Sequence, residues 1–399
     1  MPKITKLIPK PVRLALRGAL RDVIFFGVLP ATYHVGAQRK LDPKRALFVE
    51  ETRTEPSDNY VRMIKELEAR GYTCAFNSLR HYDVNTLSYY VRCARMVWEA
   101  STARLVFLCE ASAPMSCVPL RKETDVVQLW HACGAFKKFG MSTADKLFGD
   151  SRAEKRRHPY YKNLSLVTVS SPEIVWAYVE AMDLGKNPQI VQPTGVSRTD
   201  VFFDEEYLAA QRSLVAGQIP QTVGKKVILY APTFRGRIAD AEGPDQLDIA
   251  LLKDRLAEEY VLLIKHHPFV KKRPPIPAGC EDFAFDVSDS LSIEAAMIAS
   301  DMCVTDYSSL VFEYSLLGRP MAFFAYDRAD YDDWRGFYYD YDEMTPGPVC
   351  TTTEELVEYI EHLDTRYGPA EVAAFREKFM GACDGRATER ILDMVLGLR

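Results

Sequence analysis

The chain has 399 residues, too many for one ordinary hydrophobic core and enough for two. With 47% apolar and 26% charged residues it has the make-up of a folded soluble protein, which excludes disorder on a large scale. The net charge of −5 conceals an asymmetry, because residues 1–45 hold ten Lys/Arg against two Asp and leave −13 for the remainder.

In that opening segment Lys3, Lys6, Lys10, Arg13, Arg17 and Arg21 alternate with Ile4, Leu7, Ile8, Leu14, Leu16, Leu20 and Ile24. Spacings of three and four predict an amphipathic helix, broken near Pro9 and Pro11 and basic on one face. It suits the surface of an anionic membrane, or docking on the protein's own body. The apolar run at 23–30 is too short to span a bilayer, and no cleavage site marks a secretory signal.

Strand and helix patterns then alternate. Strands are predicted at 46–49, 73–76, 105–108, 126–130 and 166–169, with helices at 59–69 and 86–100 and another opened by Ser171-Pro172. Gly217, Pro220 and Gly224 interrupt the periodicity across 211–224. A second series follows, with strands at 227–230, 261–265, 284–287, 302–305 and 321–325. Its helices fall at 247–259, 293–299, 309–317, 353–363, 372–379 and 386–398. This alternation predicts an α/β fold of two doubly wound, Rossmann-like domains facing across a cleft. The domains run 41–218 and 219–399 behind the basic segment 1–40, and the last helix packs back on the first domain.

Nine cysteines form no Cys-x-x-Cys pair and no Cys/His metal spacing, so they read as reduced core residues. No Walker A sequence, dinucleotide fingerprint or nucleophile elbow is present, which removes the usual support for kinase, hydride-transfer and serine-hydrolase chemistry. The basic residues show no aromatic-rich strand face of the kind that binds nucleic acid.

Several strand ends carry chemistry. His131 follows a strand and precedes Ala132-Cys133-Gly134, with Lys137 and Lys138 nearby. A neutral imidazole there can take a proton from a hydroxyl, or be a hydrogen-bonded core histidine. Thr305-Asp306-Tyr307-Ser308-Ser309 leads from a strand into a helix, a junction that binds phosphate or is simply capped by serine. Lys265-His266-His267-Pro268 ends another strand, and donation to phosphate suits it better than metal ligation, since no third ligand accompanies it. Thr233 and Arg235 end a strand in a hydroxyl and a guanidinium. Arg386 and Thr388 open the last helix, where a cation makes more sense beside an anion. A base candidate in one half and phosphate-suited ends in the other favour a transferase.

From residue 125 to 390 the motifs resemble, in order, those of the CDP-glycerol glycerophosphotransferases. The similar segments are Trp130-His131 to Gly140, Leu229 to Arg235, Lys265 to Pro268, Thr305 to Asp327, Gly336 to Asp340, and Asp384 to Thr388. The resemblance implies a GT-B-like fold, a CDP-glycerol or CDP-ribitol donor, and teichoic-acid synthesis at the cytoplasmic face of a Gram-positive membrane. The acceptor would be a polyprenyl-diphosphate-linked saccharide. Ala-Cys-Gly-Ala stands after His131 where polymerising members more usually carry Gly-Thr-Pro, and no long N-terminal extension is seen. Both departures point to a priming enzyme that adds the first polyol phosphate.

The reading is that His131 and His267 are catalytic. Thr233, Arg235, Asp306, Ser308, Ser309, Glu313, Arg386 and Thr388 contact the CDP-polyol, Glu313 at the ribose. Gly134, Lys137 and Lys138 lie on the acceptor side. No metal or other cofactor is required, although magnesium can accompany the diphosphate. Alternatives are a CDP-ribitol donor, a sugar transferase of the same fold, and a non-catalytic membrane scaffold; oligomeric state is left open.

Overall fold

Two six-stranded parallel sheets form the frame of the computed structural model, which describes residues 10–81, 84–146, 150–236, 241–328 and 336–397. The first sheet contains β1 (Asp42–Glu50), β2 (Thr73–Ser78), β3 (Ala103–Leu108), β4 (Asp125–Gln128), β5 (Leu166–Thr168) and β6 (Val191–Gln192), ordered β2-β1-β3-β4-β5-β6. The second contains β7 (Lys226–Tyr230), β8 (Tyr260–Ile264), β9 (Ala284–Asp286), β10 (Met302–Thr305), β11 (Met321–Phe324) and β12 (Val349–Cys350), ordered β12-β11-β10-β7-β8-β9. Each sheet therefore reverses its winding beside its first strand, β1 or β7. Ligands of doubly wound sheets gather at that point, outside the strands' carboxyl ends.

Both faces of each sheet are covered, which is why β8 (Tyr-Val-Leu-Leu-Ile) is buried at every residue and shows no alternation. Helices start where short polar side chains take orphan N–H groups. Asn85, Asp204, Asp248 and Ser292 each accept from the third residue on, and Thr352 with Glu355 forms a capping box.

The boundaries differ from expectation in places. β4 stops at Gln128, short of 130, because Trp130 adopts φ +61° and turns the chain out of the sheet. The interruption at 211–224 is shorter than its composition suggests, since the helix Glu205–Gln218 runs through Gly217 and only a turn at 220–222 follows. β6 and β12, two residues each, leave no readable period.

At the start, the helix Lys10–Val23 has Pro11 in its first turn, where no backbone donor is missed, and it passes through a π-turn (Ile24–Val28) into Leu29–Gly36. The expected break near Pro9 and Pro11, with the basic and apolar positions before residue 10, falls outside the described residues. Phe25, Leu29 and Tyr33 are buried in one cluster with Cys93, Met96 and Val97. Val12, Leu16, Leu20, Val23 and Phe26 remain exposed. No helix among the described residues is long and apolar enough to cross a membrane. At the far end, the helix Ala387–Gly397 returns to the first domain, placing Ile391, Leu392 and Val395 in one core with Tyr60, Met63 and Leu67.

Candidate active site between the two domains

His131 sits three residues beyond the end of β4, directly after the turn at Trp130, and the backbone before it is held on both sides. The Gln128 side-chain oxygen accepts from Trp130 N at 3.1 Å, and Asn59 Nδ2 donates to Trp130 O at 2.7 Å. The left-handed Trp130 conformation is thus fixed by two buried amides, and its ring stacks on Phe139 with 4.7 Å between centroids. The His131 ring is exposed, with Nδ1 3.3 Å from Cys109 O. In the tautomer that donates from Nδ1, Nε2 carries the lone pair a general base needs.

The following residues cross to the second domain. Lys138 N donates to Gly336 O at 3.0 Å and Tyr338 N donates to Phe136 O at 3.1 Å, so two of the motifs pair as a short antiparallel bridge. Gly134 has φ +62°, and a Cβ placed there would stand 2.3 Å from the Phe312 ring. Gly134, expected on the acceptor side, is packed against this second-domain ring.

In the second domain, His266 is buried while the next residue, His267, is exposed. Phe269 N donates to His267 Nδ1 at 3.2 Å, which places the ring proton on Nε2. Phe234 and Phe269 crowd the ring at 5.1 and 4.6 Å. Although one edge meets solvent, this desolvation, and next the charge of Lys137 from the other domain, push the His267 pKa down to about 4. It is a neutral donor at ordinary pH. Lys137 of the first domain thus lies near enough for its charge to act on His267 of the second.

At the end of β10, Asp306 accepts from Thr233 N at 2.8 Å and Tyr307 N at 2.6 Å, and pairs with Arg235 at 2.9 Å. Arg235 is also gripped by Asp327 through Nε and a terminal nitrogen at 2.6 and 2.9 Å. Two carboxylates thus offset the guanidinium, so Arg235, Asp306 and the Thr233 backbone tie β7, β10 and the end of β11 together. Ser308 Oγ accepts from Leu310 N at 3.2 Å, while Ser309 precedes the helix Leu310–Ser315 without a side-chain cap. Both serines are half-buried.

Three expected ligand contacts lie elsewhere. Glu313, expected at a ribose, is buried, with Oε1 2.8 Å from Arg198 Nε. Burial pushes its pKa up to about 7 in spite of Arg198. Arg386 is an exposed side chain paired with Glu389 at 2.8 Å. The helix end it was expected to share with a substrate anion is already filled, because Asp200 accepts from Ala387 N at 2.9 Å and Thr388 N at 2.8 Å. Thr388 is buried there.

A 760 Å³ groove lined by Met141, Arg152, Val175, Trp176 and Glu180 opens away from these residues. Tyr338 links it to the site, lying 6.0 Å from Phe139 and 5.6 Å from Trp176 and donating its hydroxyl to Ser142 at 3.0 Å. Its size alone does not mark the chemistry. Among the described residues no three His, Cys, Asp or Glu side chains gather as a metal site.

The family described as CDP-glycerol:poly(glycerophosphate) glycerophosphotransferase matches residues 31–397. The chain belongs to that family. A teichoic acid ribitol-phosphate primase of Bacillus spizizenii is 35% identical over 85% of this chain and 87% of its own. The teichoic acid poly(ribitol-phosphate) polymerase of the same organism is 34% identical over 91% of this chain, which spans only 58% of that polymerase. A solved structure of the wall teichoic acid polymerase TagF superposes with TM-score 0.75 at 22% identity, covering 96% of both chains. The fold is therefore that of TagF, two parallel α/β domains of GT-B-like design. The chain is a member of a transferase family of teichoic-acid synthesis.

Sequence reasoning passed over four residues of this transferase fold: Asn59, Gln128, Arg198 and Asp200. The last two had a signal, since Arg and Asp stand among small hydroxyl residues in Gly195-Val196-Ser197-Arg198-Thr199-Asp200 just beyond a strand. A buried charge in such a segment demands a partner.

Proposed function

We propose that this chain transfers glycerol phosphate from CDP-glycerol to a hydroxyl of a polyprenyl-diphosphate-linked teichoic-acid precursor, adding a first unit. What supports the reading is that the segment following His131 bridges to the second domain at Gly336 and Tyr338, where the charge of Lys137 acts on His267. His131 Nε2 takes the proton of the acceptor hydroxyl, whose oxygen attacks the phosphorus that bears glycerol. The bond from that phosphorus to the CMP oxygen breaks, and CMP leaves with the electron pair.

His267 Nε2–H and the hydroxyls of Ser308 and Ser309 hold the diphosphate as charge moves to the leaving group. Lys137 and Lys138 add positive potential on the acceptor side. Such preorganised donors are each worth about 2.7–4 kcal/mol in the barrier. Arg235, Asp306 and Thr233 shape the donor pocket through their mutual bonds. The scheme uses no resident metal; magnesium can enter with the diphosphate.

CMP release from purified protein tests this reading, with CDP-glycerol and a polyprenyl-diphosphate disaccharide analogue. His131→Ala should lower turnover by about 10²–10⁴-fold while donor binding persists. Near-normal turnover in a folded His131→Ala protein would remove the base. One observation favours a second reading with CDP-ribitol as donor: both relatives above are ribitol-phosphate enzymes. Release with CDP-ribitol alone would select it and keep the mechanism. The exposed apolar stripe of the first helix, in a segment of +8 charge, supports docking on an anionic membrane where such acceptors reside.

A further inference from the structure

We propose that Arg198 is a positioning residue that registers His131 against the donor-binding turn of the other domain; this rests on His131 being the general base. One terminal nitrogen of Arg198 donates to His131 O at 3.2 Å. The other donates to Glu294 Oε1 at 2.5 Å, on the second-domain helix Ile293–Ala299. Arg198 Nε lies 2.8 Å from Glu313 Oε1, one turn into the helix that begins directly after Ser308 and Ser309. A single planar cation therefore touches the base's own peptide and both second-domain helices.

The clamp is buried and itself held in place. The side chains of Arg198, Glu294 and Glu313 are 10%, 5% and 6% exposed. Asn59 Oδ1 accepts from Arg198 N at 3.2 Å, while its amide nitrogen donates to Trp130 O at 2.7 Å. The two peptides beside the His131 Cα are thus set by one connected network, whose far end is the helix that follows Ser308 and Ser309. Lysine keeps the charge but, as a point donor, lacks the fork that donates to His131 O and Glu294 while pairing with Glu313. Sub-ångström errors in base placement are costly, since a misplacement of about 1 Å loses roughly 10²-fold in rate.

The test is a double-mutant cycle on CMP release with Arg198→Lys and His131→Ala. Arg198→Lys is expected to lower kcat by about 10- to 100-fold with the donor KM changed by less than about twofold. In the His131→Ala background the same substitution should change the residual rate by less than about twofold, because its effect passes through His131. Equal losses in both backgrounds would overturn the proposal, as would a raised donor KM at unchanged kcat. Glu313→Gln, which keeps the Arg198–His131 bond and loosens only the second-domain end, should show the same dependence on His131 if Arg198→Lys folds poorly.

Histidine side-chain NMR provides a readout independent of turnover. Arg198→Lys should shift the ring signals assigned to His131 by their loss in His131→Ala, leaving the distant His34 and His362 unmoved. Unshifted His131 signals would overturn the positioning role. Absence of CMP release by the unaltered protein with either donor would instead remove the general-base reading on which the proposal stands.

Discussion

Gly134 stands where no side chain fits. Its φ of +62° is strained for any residue with a Cβ, and that atom would meet the Phe312 ring at 2.3 Å. Gly134→Ala should therefore destabilise the fold by roughly 2–5 kcal/mol, adding the left-handed penalty to overpacking. Thermal or urea unfolding of the variant measures this, and a stability within about 0.5 kcal/mol of the parent would show that the two domains part easily there. The same residue shows what a sequence can and cannot reveal. Its place among small residues after His131 was legible; what approaches it was not, because Phe312 lies far along the chain. Arg235 and Glu313 repeat the lesson. Their charges stood out at strand and helix ends, yet Asp327 and Arg198, which engage them, are distant in sequence.

Among the elements, strands and helices were legible wherever apolar runs or periodicity extended over several residues, as in β8 and the helix Thr86–Ala100. The two-residue edge strands were not, since a period needs more than one repeat. The final helix shows how a correct element can carry a different role. Its N-terminus suits an anion, and the anion is Asp200 of the first domain. Asp200→Asn replaces one carboxylate oxygen with a donor and removes the charge facing the helix dipole, at a cost of about 1–3 kcal/mol. Hydrogen exchange across Ala387–Gly397 should rise in this variant. Unchanged protection would mean the helix is held by its apolar face alone.

Across the whole molecule, the largest core cluster joins Trp130, Ile174 and Tyr178 of the first domain to Phe312, Tyr341 and Phe379 of the second. The sheets are thus fixed against one another by packing as well as by the Arg198 clamp. The outer surface has a contrasting feature in the apolar stripe Leu16, Leu20, Val23 and Phe26. Burying two leucines in a lipid interface contributes about 1.5–3 kcal/mol each, so Leu16→Asn with Leu20→Asn should weaken sedimentation with anionic vesicles at least about tenfold. These side chains face solvent, so the fold should survive the change. Equal sedimentation would place the membrane contact elsewhere.

The return of the last helix to the first sheet also sets an order of events during synthesis. The ribosome finishes β1 to β6 and then makes the whole second domain before Ala387–Gly397 emerges. Until then Tyr60, Met63 and Leu67 lack the cover that Ile391, Leu392 and Val395 provide. The nascent first domain must wait, partly open and prone to wrong contacts, for a segment translated after the second domain. A messenger cut short within the second domain would thus yield a product with two incomplete cores.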